Sequence, residues 1–260
     1  MKISIVTPSF NQGKFIAEAI ESVLSQNYAN IEHIIVDNCS TDETSKILAR
    51  YPHLKVICEK DKGQSDALNK GFKAASGDIV GWLNADDEYL PGCFEHIRDA
   101  FTKHSEYDLL YGDYRFVDVN GDLIRVRKEL GFDEFMLKYL HVLYIPTTTT
   151  FFRRKVFDEG NFLDINYHYA MDYEFFIRLS AQGYTFGHVP QVMADFRWHV
   201  DAKSQQISKA KAEMEKALLA HDQFLRQFNP PLKMIFRNTL MFAARLKRYF
   251  LKLFSGAYFV

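Results

Sequence analysis

Two spacings of apolar residues take turns along the first 90 positions of the chain. Lys2 to Thr7, Ile31 to Val36, Leu54 to Glu59 and Asp78 to Leu83 are short runs with the length of strands. The last is apolar on both sides, as a strand covered on both faces of a parallel sheet must be. Between them, Phe15, Ile16, Ala19, Ile20, Val23 and Leu24 recur at the helical spacing, as do Ala67, Leu68, Gly71, Phe72 and Ala75. Ser40 with Glu43 has the form of a capping box for a further helix. Strands alternating with helices predict a mostly parallel, Rossmann-like α/β sheet with right-handed crossovers and helices on both faces.

Beyond residue 90 the pattern loosens. Pro91-Gly92 opens a helix with Phe94, Ile97 and Phe101 inward, and Asp108 to Gly112 reads as a strand. Tyr114 to Val119 and Leu123 to Arg127 flank Asn120-Gly121, two residues that tolerate the positive φ of a tight hairpin, so a smaller antiparallel sheet is expected. Phe132 to Leu140 is a short helix. Ile145 to Phe152 is a loop and then a β-branched strand, with Thr147 to Thr150 in it. Phe175, Phe176 and Leu179 mark a helix with Asp172 in its first turn.

From Ser204 the pattern is helical, and beyond Asp222 no acidic residue occurs. The chain therefore divides into an α/β domain at 1–204, with halves 1–112 and 113–204, and a helical, basic extension at 205–260. In the extension Arg237, Arg245, Arg248 and Lys252 align on one face, and Ile235, Phe242, Leu246, Tyr249 and Leu253 on another. That is the pattern of a segment lying in an anionic membrane interface, here 231–254. The other partners open to it are the domain itself or a second copy of the chain.

Composition narrows the classes. With 260 residues, 47% of them apolar, the chain can bury one large core, and a net charge of -1 argues against general nucleic-acid binding. Cys39, Cys58 and Cys93 form no CxxC pair, which suggests neither a zinc site nor a disulfide framework and suits a reducing cytoplasm. No run of about 20 apolar residues spans a membrane. Met1 to Thr7 reads as a strand and not as a signal peptide.

The chemistry gathers where the strands end. Thr7 to Asn11, Asp37, Gln64 and Asp86-Asp87 all fall at the C-terminal edge of the predicted sheet, where open α/β sheets bind ligands. Adjacent carboxylates repel unless a proton or cation lies between them, and a hard divalent ion with a bound diphosphate satisfies both. Asp172, stabilised as an anion by the helix dipole, suits a general base. Its rival Glu174 lies two residues on, off that helix face, and has Arg178 at i+4. Plainer roles stand beside these: Asp37 as a turn cap, Gln64 and Ser65 as helix-start residues, Trp82 as core, Asp172 as an N-cap, and His199 as a loop residue.

Four stretches carry a resemblance. Thr7-Pro8-Ser9-Phe10-Asn11-Gln12, Ile35 to Asp42, Gly63 to Gly71 and Gly81 to Asp87 resemble, in order, the successive blocks of family 2 glycosyltransferases, densely over the first 90 residues and more thinly to about residue 200. The resemblance implies the GT-A fold, with the smaller sheet on the acceptor side. It implies metal-dependent, inverting transfer from a nucleotide-diphosphate sugar, most commonly a UDP-sugar, to a hydroxyl of a glycan or lipid-linked acceptor, in cell-surface polysaccharide synthesis. By the same resemblance, Thr7, Pro8, Ser9 and Phe10 surround base and ribose, Asn11 belongs to the donor site, and Asp37 accepts a hydrogen bond from the base. Gln64 and Ser65 belong to the donor site, Asp86 lies near the sugar or ribose, Asp87 holds Mn2+ or Mg2+, and Asp172 is the base. The segment Ala194 to Ser204 is similar to one in which a histidine, here His199, reaches the metal or diphosphate and Arg197 or Lys203 offsets leaving-group charge.

Two positions depart from the pattern: Asn38-Cys39 stands where the family often has Asp-Gly, and Met171 where it commonly has an acid. Met171 keeps open a non-catalytic nucleotide-sugar-binding module. A sugar-1-phosphate nucleotidyltransferase also puts a nucleotide at such an edge, but the chain has no Gly-rich basic loop after its first strand. A glycosidase using Asp87 and Asp172 as its acid pair would not need the nucleotide blocks.

Overall fold

The computed structural model describes residues 1–140, 142–199 and 206–255. Its first half is β1 (Ile3–Ser9), α1 (Ile16–Leu24), β2 (Ile31–Asp37), α2 (Thr44–Leu48), β3 (Lys55–Cys58), α3 (Gln64–Ala74) and β4 (Ile79–Trp82), with all four strands parallel. There follow β5 (Glu88–Tyr89), α4 (Cys93–Lys103), β6 (Leu109–Val117), β7 (Leu123–Arg127), α5 (Glu134–Tyr139), β8 (Phe151–Arg153), α6 (Lys155–Asp158), α7 (Met171–Ala181) and β9 (Phe186–Arg197). Three helices close the described chain: α8 (Ile207–His221), α9 (Gln223–Arg226) and α10 (Pro230–Phe254).

All nine strands join one sheet in the order β3-β2-β1-β4-β8-β6-β9-β5, with β7 paired to β6. The antiparallel part expected after residue 112 is continuous with the parallel half, because β8 runs antiparallel between β4 and β6. What reads in the sequence as two strands, 108–112 and 114–119, is the single strand β6, antiparallel to β7 and parallel to β9. Strand order reverses between β1 and β4. Such a switch point opens a crevice beyond the strand ends.

Alternation along the strands builds a core on each face. Val6, Val80, Trp82 and Phe152 point to the side covered by α3, α5, α7 and α8, while Ile3, Ile5, Ile79 and Phe151 point to the side covered by α1 and α4. Gly71 allows the closest of these approaches. A Cβ there would lie 2.1 Å from Val6 Cγ1, so α3 can lie against β1 only without one. Met214, Ala217, Leu218 and Leu225 bury into the same core as α7.

Several local expectations are corrected. Ser40 and Glu43 form no capping box: Ser40 Oγ donates to Asp37 Oδ1 (2.6 Å), and α2 begins after Glu43 with no side-chain cap. Thr147–Thr149 form a 3-10 turn and β8 starts only at Phe151, because the threonine hydroxyls bond Asp87, Gly112 O and Pro146 O. In the β6–β7 hairpin Gly121 takes φ +88°, and the Asp118 carboxylate holds the backbone of Asn120 and Asp122.

The largest revision concerns α10. Most of its cations turn inward: Arg237 pairs with Glu215, Lys247 with Asp133, and Arg248 and Lys252 with the buried Glu129, while Arg245 is exposed. Ile235, Phe242, Leu246, Tyr249, Leu253 and Phe254 face outward instead, with Phe242 68% exposed. The basic stripe read from the sequence thus fastens the helix to the body, and the apolar stripe is left to solvent. Among the described residues no helix is long and apolar enough to cross a membrane.

Candidate functional site

A cavity of about 550 Å³ opens at the β1/β4 switch point, beyond the C-terminal strand ends. Its wall is shared by the β1 end, the α3 start, the turn after β4, the α7 start and the end of β9. Of the residues singled out in the sequence for the site it brings together Pro8, Ser9, Phe10, Gln64, Asp86, Asp87, Asp172, Arg197 and His199. Thr7, Asn11, Asp37 and Ser65 do not line it.

Those four turn into the fold for identifiable reasons. Thr7, fully buried, pairs through Oγ1 with His33 Nε2 (3.0 Å), and burial holds the His33 pKa down at about 3, so that imidazole is neutral. Asn11 Oδ1 accepts from Thr41 N, and Asn11 N donates to Ser40 Oγ. Asp37, 2% exposed, accepts from Ser40 N (2.7 Å) and Ser40 Oγ. This knits the turn in which Cys39 takes φ +53°, the left-handed conformation that a glycine adopts at less cost. Ser65 Oγ points at Tyr167 O and Met171 Sδ, joining α3 to the segment that leads into α7.

On the cavity side, Phe10 is half exposed, with Lys60 Nζ 6.0 Å from its ring centre. Ser9 is buried, and its Oγ has no hydrogen-bond partner among the described residues. Gln64 Nε2 donates to Asn84 Oδ1 (2.9 Å), and Asn84 also accepts from Trp82 Nε1 and donates to Asp87 Oδ2 (2.9 Å). Asn84 is therefore the relay that joins α3, β4 and the acidic turn.

The two adjacent carboxylates differ sharply. Asp87 is 2% exposed, and three donors occupy it: Arg197 N on Oδ1 (3.0 Å), with Thr148 Oγ1 (2.8 Å) and Asn84 Nδ2 on Oδ2. Burial first, and then the charge on Asp86, push its pKa up to about 8 against those donors. Asp86 lies at the cavity, with its side chain 23% exposed and Oδ2 2.9 Å from His199 Nε2. Among the described residues no three His, Cys, Asp or Glu side chains converge on one point. A divalent ion here would have two protein ligands, Asp86 and His199. That oxygen and imidazole pair suits Mn2+ or Mg2+ completed by diphosphate and water, and a cation beside Asp86 would relieve the repulsion felt by Asp87.

Arg197 also lines the cavity, and its guanidinium is already engaged. Its nitrogens reach Glu18, Glu88, Asp86 O and Val119 O, so it braces α1, the acidic turn and the hairpin. Lys203, the other candidate, lies outside the described residues, as does Ser204. Asp172 stands in the first turn of α7, two residues after its N-cap Ala170, with Oδ1 accepting from Tyr173 N (2.8 Å). Glu174 is buried on the far side, bonded to Arg178 and His221, and is not a rival. Met171 is buried against Ser65. Sequence reasoning missed Asn84, and it missed His168 and Tyr169, which also line the cavity.

A mixed α/β sheet thus carries its acids, an imidazole and a helix-borne aspartate around a switch-point cavity. The model of the glycosyl transferase family 2 matches residues 4–160, and the chain belongs to that family. A glycosyltransferase of Rickettsia typhi is 30% identical over 227 residues, which are 83% of this chain and 70% of that one. The chondroitin synthase of Escherichia coli is 34% identical over 126 residues, 47% of this chain and 18% of that one. The matches to four further glycosyltransferases, from three Rickettsia species and Nostoc, span 22 to 33% of those proteins' length. Among solved structures, Staphylococcus aureus TarS 1–349 in complex with UDP-GlcNAc superposes with TM-score 0.68 at 18% identity, covering 93% of this chain and 70% of that one. The mannosyltransferase PcManGT from Pyrobaculum calidifontis, in complex with GDP-Man and Mn2+, does so at 0.60 and 15%, covering 95% and 87%. At these identities the likeness is one of fold.

Proposed function

We propose that the chain transfers a sugar, with inversion, from a nucleoside-diphosphate donor to a hydroxyl of a glycan or lipid-linked acceptor, and that Asp86 and His199 hold the divalent ion. The carrying observation is that Asp86, paired with His199, and Asp172 line one cavity at the sheet edge. Phe10 and Ser9 border the base and ribose. Asp172 takes the proton of the acceptor hydroxyl while its oxygen attacks the anomeric carbon from the face opposite the nucleotide. The bond to the nucleoside diphosphate breaks, and its electron pair leaves on the phosphate oxygen. A bound Mn2+ or Mg2+ supplies neutralisation of charge on that leaving group. Asp87 shapes the floor under Asp86, a different role from the metal ligand implied by the family resemblance. A uridine donor is the reading we carry forward, in line with the TarS complex. The relatedness to chondroitin synthase and to a putative teichuronic acid glycosyltransferase of Bacillus subtilis supports a part in polysaccharide synthesis.

The test is a panel of UDP-, GDP- and TDP-sugars with and without Mn2+. One donor should raise the melting temperature and be slowly hydrolysed in an ion-dependent way; if none does either, the reading is wrong.

We extend the proposal to a cytoplasmic enzyme lying on the inner face of a membrane through the outward apolar stripe of α10. With most cations of that helix paired to acids of the body, attachment should rest chiefly on apolar insertion and change little with salt. Phe242→Ser with Leu246→Ser should abolish co-sedimentation with anionic vesicles while 0.5 M salt, about three times physiological ionic strength, leaves wild-type binding in place. Binding that disappears in salt, or persists in the double variant, would point to another surface.

A further inference from the structure

One face of α8 grips the short segment that leads into α7. Residues 209, 213 and 216 follow one another on that face at helical spacing. Lys209 Nζ donates to the Tyr169 hydroxyl (3.3 Å) and lies 5.2 Å from its ring centre. Lys216 Nζ lies 4.4 Å from the ring centre of Tyr167. Between them the Glu213 carboxylate accepts from three successive backbone N–H groups: His168 (2.9 and 3.0 Å), Tyr169 (2.7 Å) and Ala170 (2.9 Å).

Those N–H groups have no partner inside α7, which starts at Met171, and they converge as an anion-binding nest at a helix start does. Here the anion is a side chain of the protein's own C-terminal extension. From the other side Ser65 Oγ donates to Tyr167 O, so the segment is held from α3 and α8 at once. His168 and Tyr169 line the cavity, and Asp172 follows two residues after Ala170.

We infer that Glu213 is a positioning residue for the transfer reaction: its carboxylate fixes 168–170 and thereby sets where Asp172 and the cavity-lining His168 and Tyr169 stand. The inference rests on Asp172 being the base, as proposed above. The Glu213 carboxylate reaches the cavity wall through the backbone of 168–170, and its hydrogen bonds do not involve Asp86 or His199. The donor half of the cavity, built from β1, α3 and the β4 turn, is fixed by other contacts. Loss of the carboxylate should therefore act on turnover and spare donor binding. A displacement of a catalytic group by about 1 Å costs on the order of a hundredfold in rate.

The experiment compares full-length wild type with Glu213→Ala and Glu213→Gln by two readouts. In hydrogen exchange, a peptide containing 168–170 should exchange about tenfold or more faster in Glu213→Ala, with Glu213→Gln intermediate because one amide oxygen can replace only part of the carboxylate. In steady-state transfer, kcat should fall at least about tenfold in Glu213→Ala with donor KM within about twofold of wild type, and Glu213→Gln should recover part of the loss. Unchanged exchange would overturn the clamp. Parallel loss of kcat, donor affinity and melting temperature would overturn positioning in favour of a plain stability role. If the wild-type protein transfers no sugar and binds no nucleotide, the functional reading fails. The exchange readout still decides whether Glu213 orders the segment.

Discussion

Asp172→Asn should bind donor and Mn2+ as wild type does and transfer sugar slower by about a thousandfold, within the range that removal of a general base produces. The substitution preserves the shape of the side chain and its acceptor for Tyr173 N, so α7 keeps its first turn. What it removes is the capacity to take a proton. Donor titration by calorimetry or thermal shift and single-turnover transfer at saturating acceptor separate the two effects. Slow donor hydrolysis should survive, because water needs less help to leave its proton in bulk solvent than an acceptor hydroxyl held against a protein wall. Wild-type transfer by Asp172→Asn would remove this residue from the chemistry, and loss of donor affinity alone would move it to the donor side.

The second large effect is a contrast between neighbours. Asp86→Ala should lower ion-dependent donor affinity on the order of a hundredfold or more, as expected when one of two protein ligands is lost, and change the melting temperature little. Asp87→Ala should do the reverse. It strands Arg197 N, Thr148 Oγ1 and Asn84 Nδ2 without their acceptor, a penalty on the order of 3 kcal/mol or more in total, which lowers the melting temperature by on the order of 10 °C. Parallel Mn2+ titrations and melting curves decide it. If Asp87→Ala loses ion dependence at an unchanged melting temperature while Asp86→Ala keeps it, the roles are the other way round.

The parallel half was legible because each strand and helix shows its period locally, and the edge followed from topology alone. The acidic turn was legible as chemistry but not as geometry. Asp86 and Asp87 have identical side chains, and what separates them is a buried strand end, Arg197, 110 residues later, whose backbone N–H selects one. Arg197 itself looked available for phosphate because a sequence does not reveal that Glu18 and Glu88 already hold its guanidinium. The amphipathic pattern of α10 was legible but its orientation was not: period identifies two faces, and only the acids at Glu129, Asp133 and Glu215 decide which faces in. The inward hydrogen bonds of Thr7 and Ser65 were hidden for a related reason: their partners His33 and Met171 are distant in sequence.

The close of β9 carries a further implication. Arg197 and His199 both face the acidic turn, while Trp198 between them packs on Phe116 (5.7 Å between ring centres) and its amide continues the ladder to Val117 O. Because neighbouring side chains on extended backbone project oppositely, delivery of the imidazole is a matter of parity. An odd-numbered insertion or deletion just upstream would turn the histidine outward, and a one-residue insertion would bring the Trp198 indole to Asp86 instead. An even-numbered one keeps the phase. Length variation at this edge is therefore filtered by counting, independently of which amino acids are gained or lost.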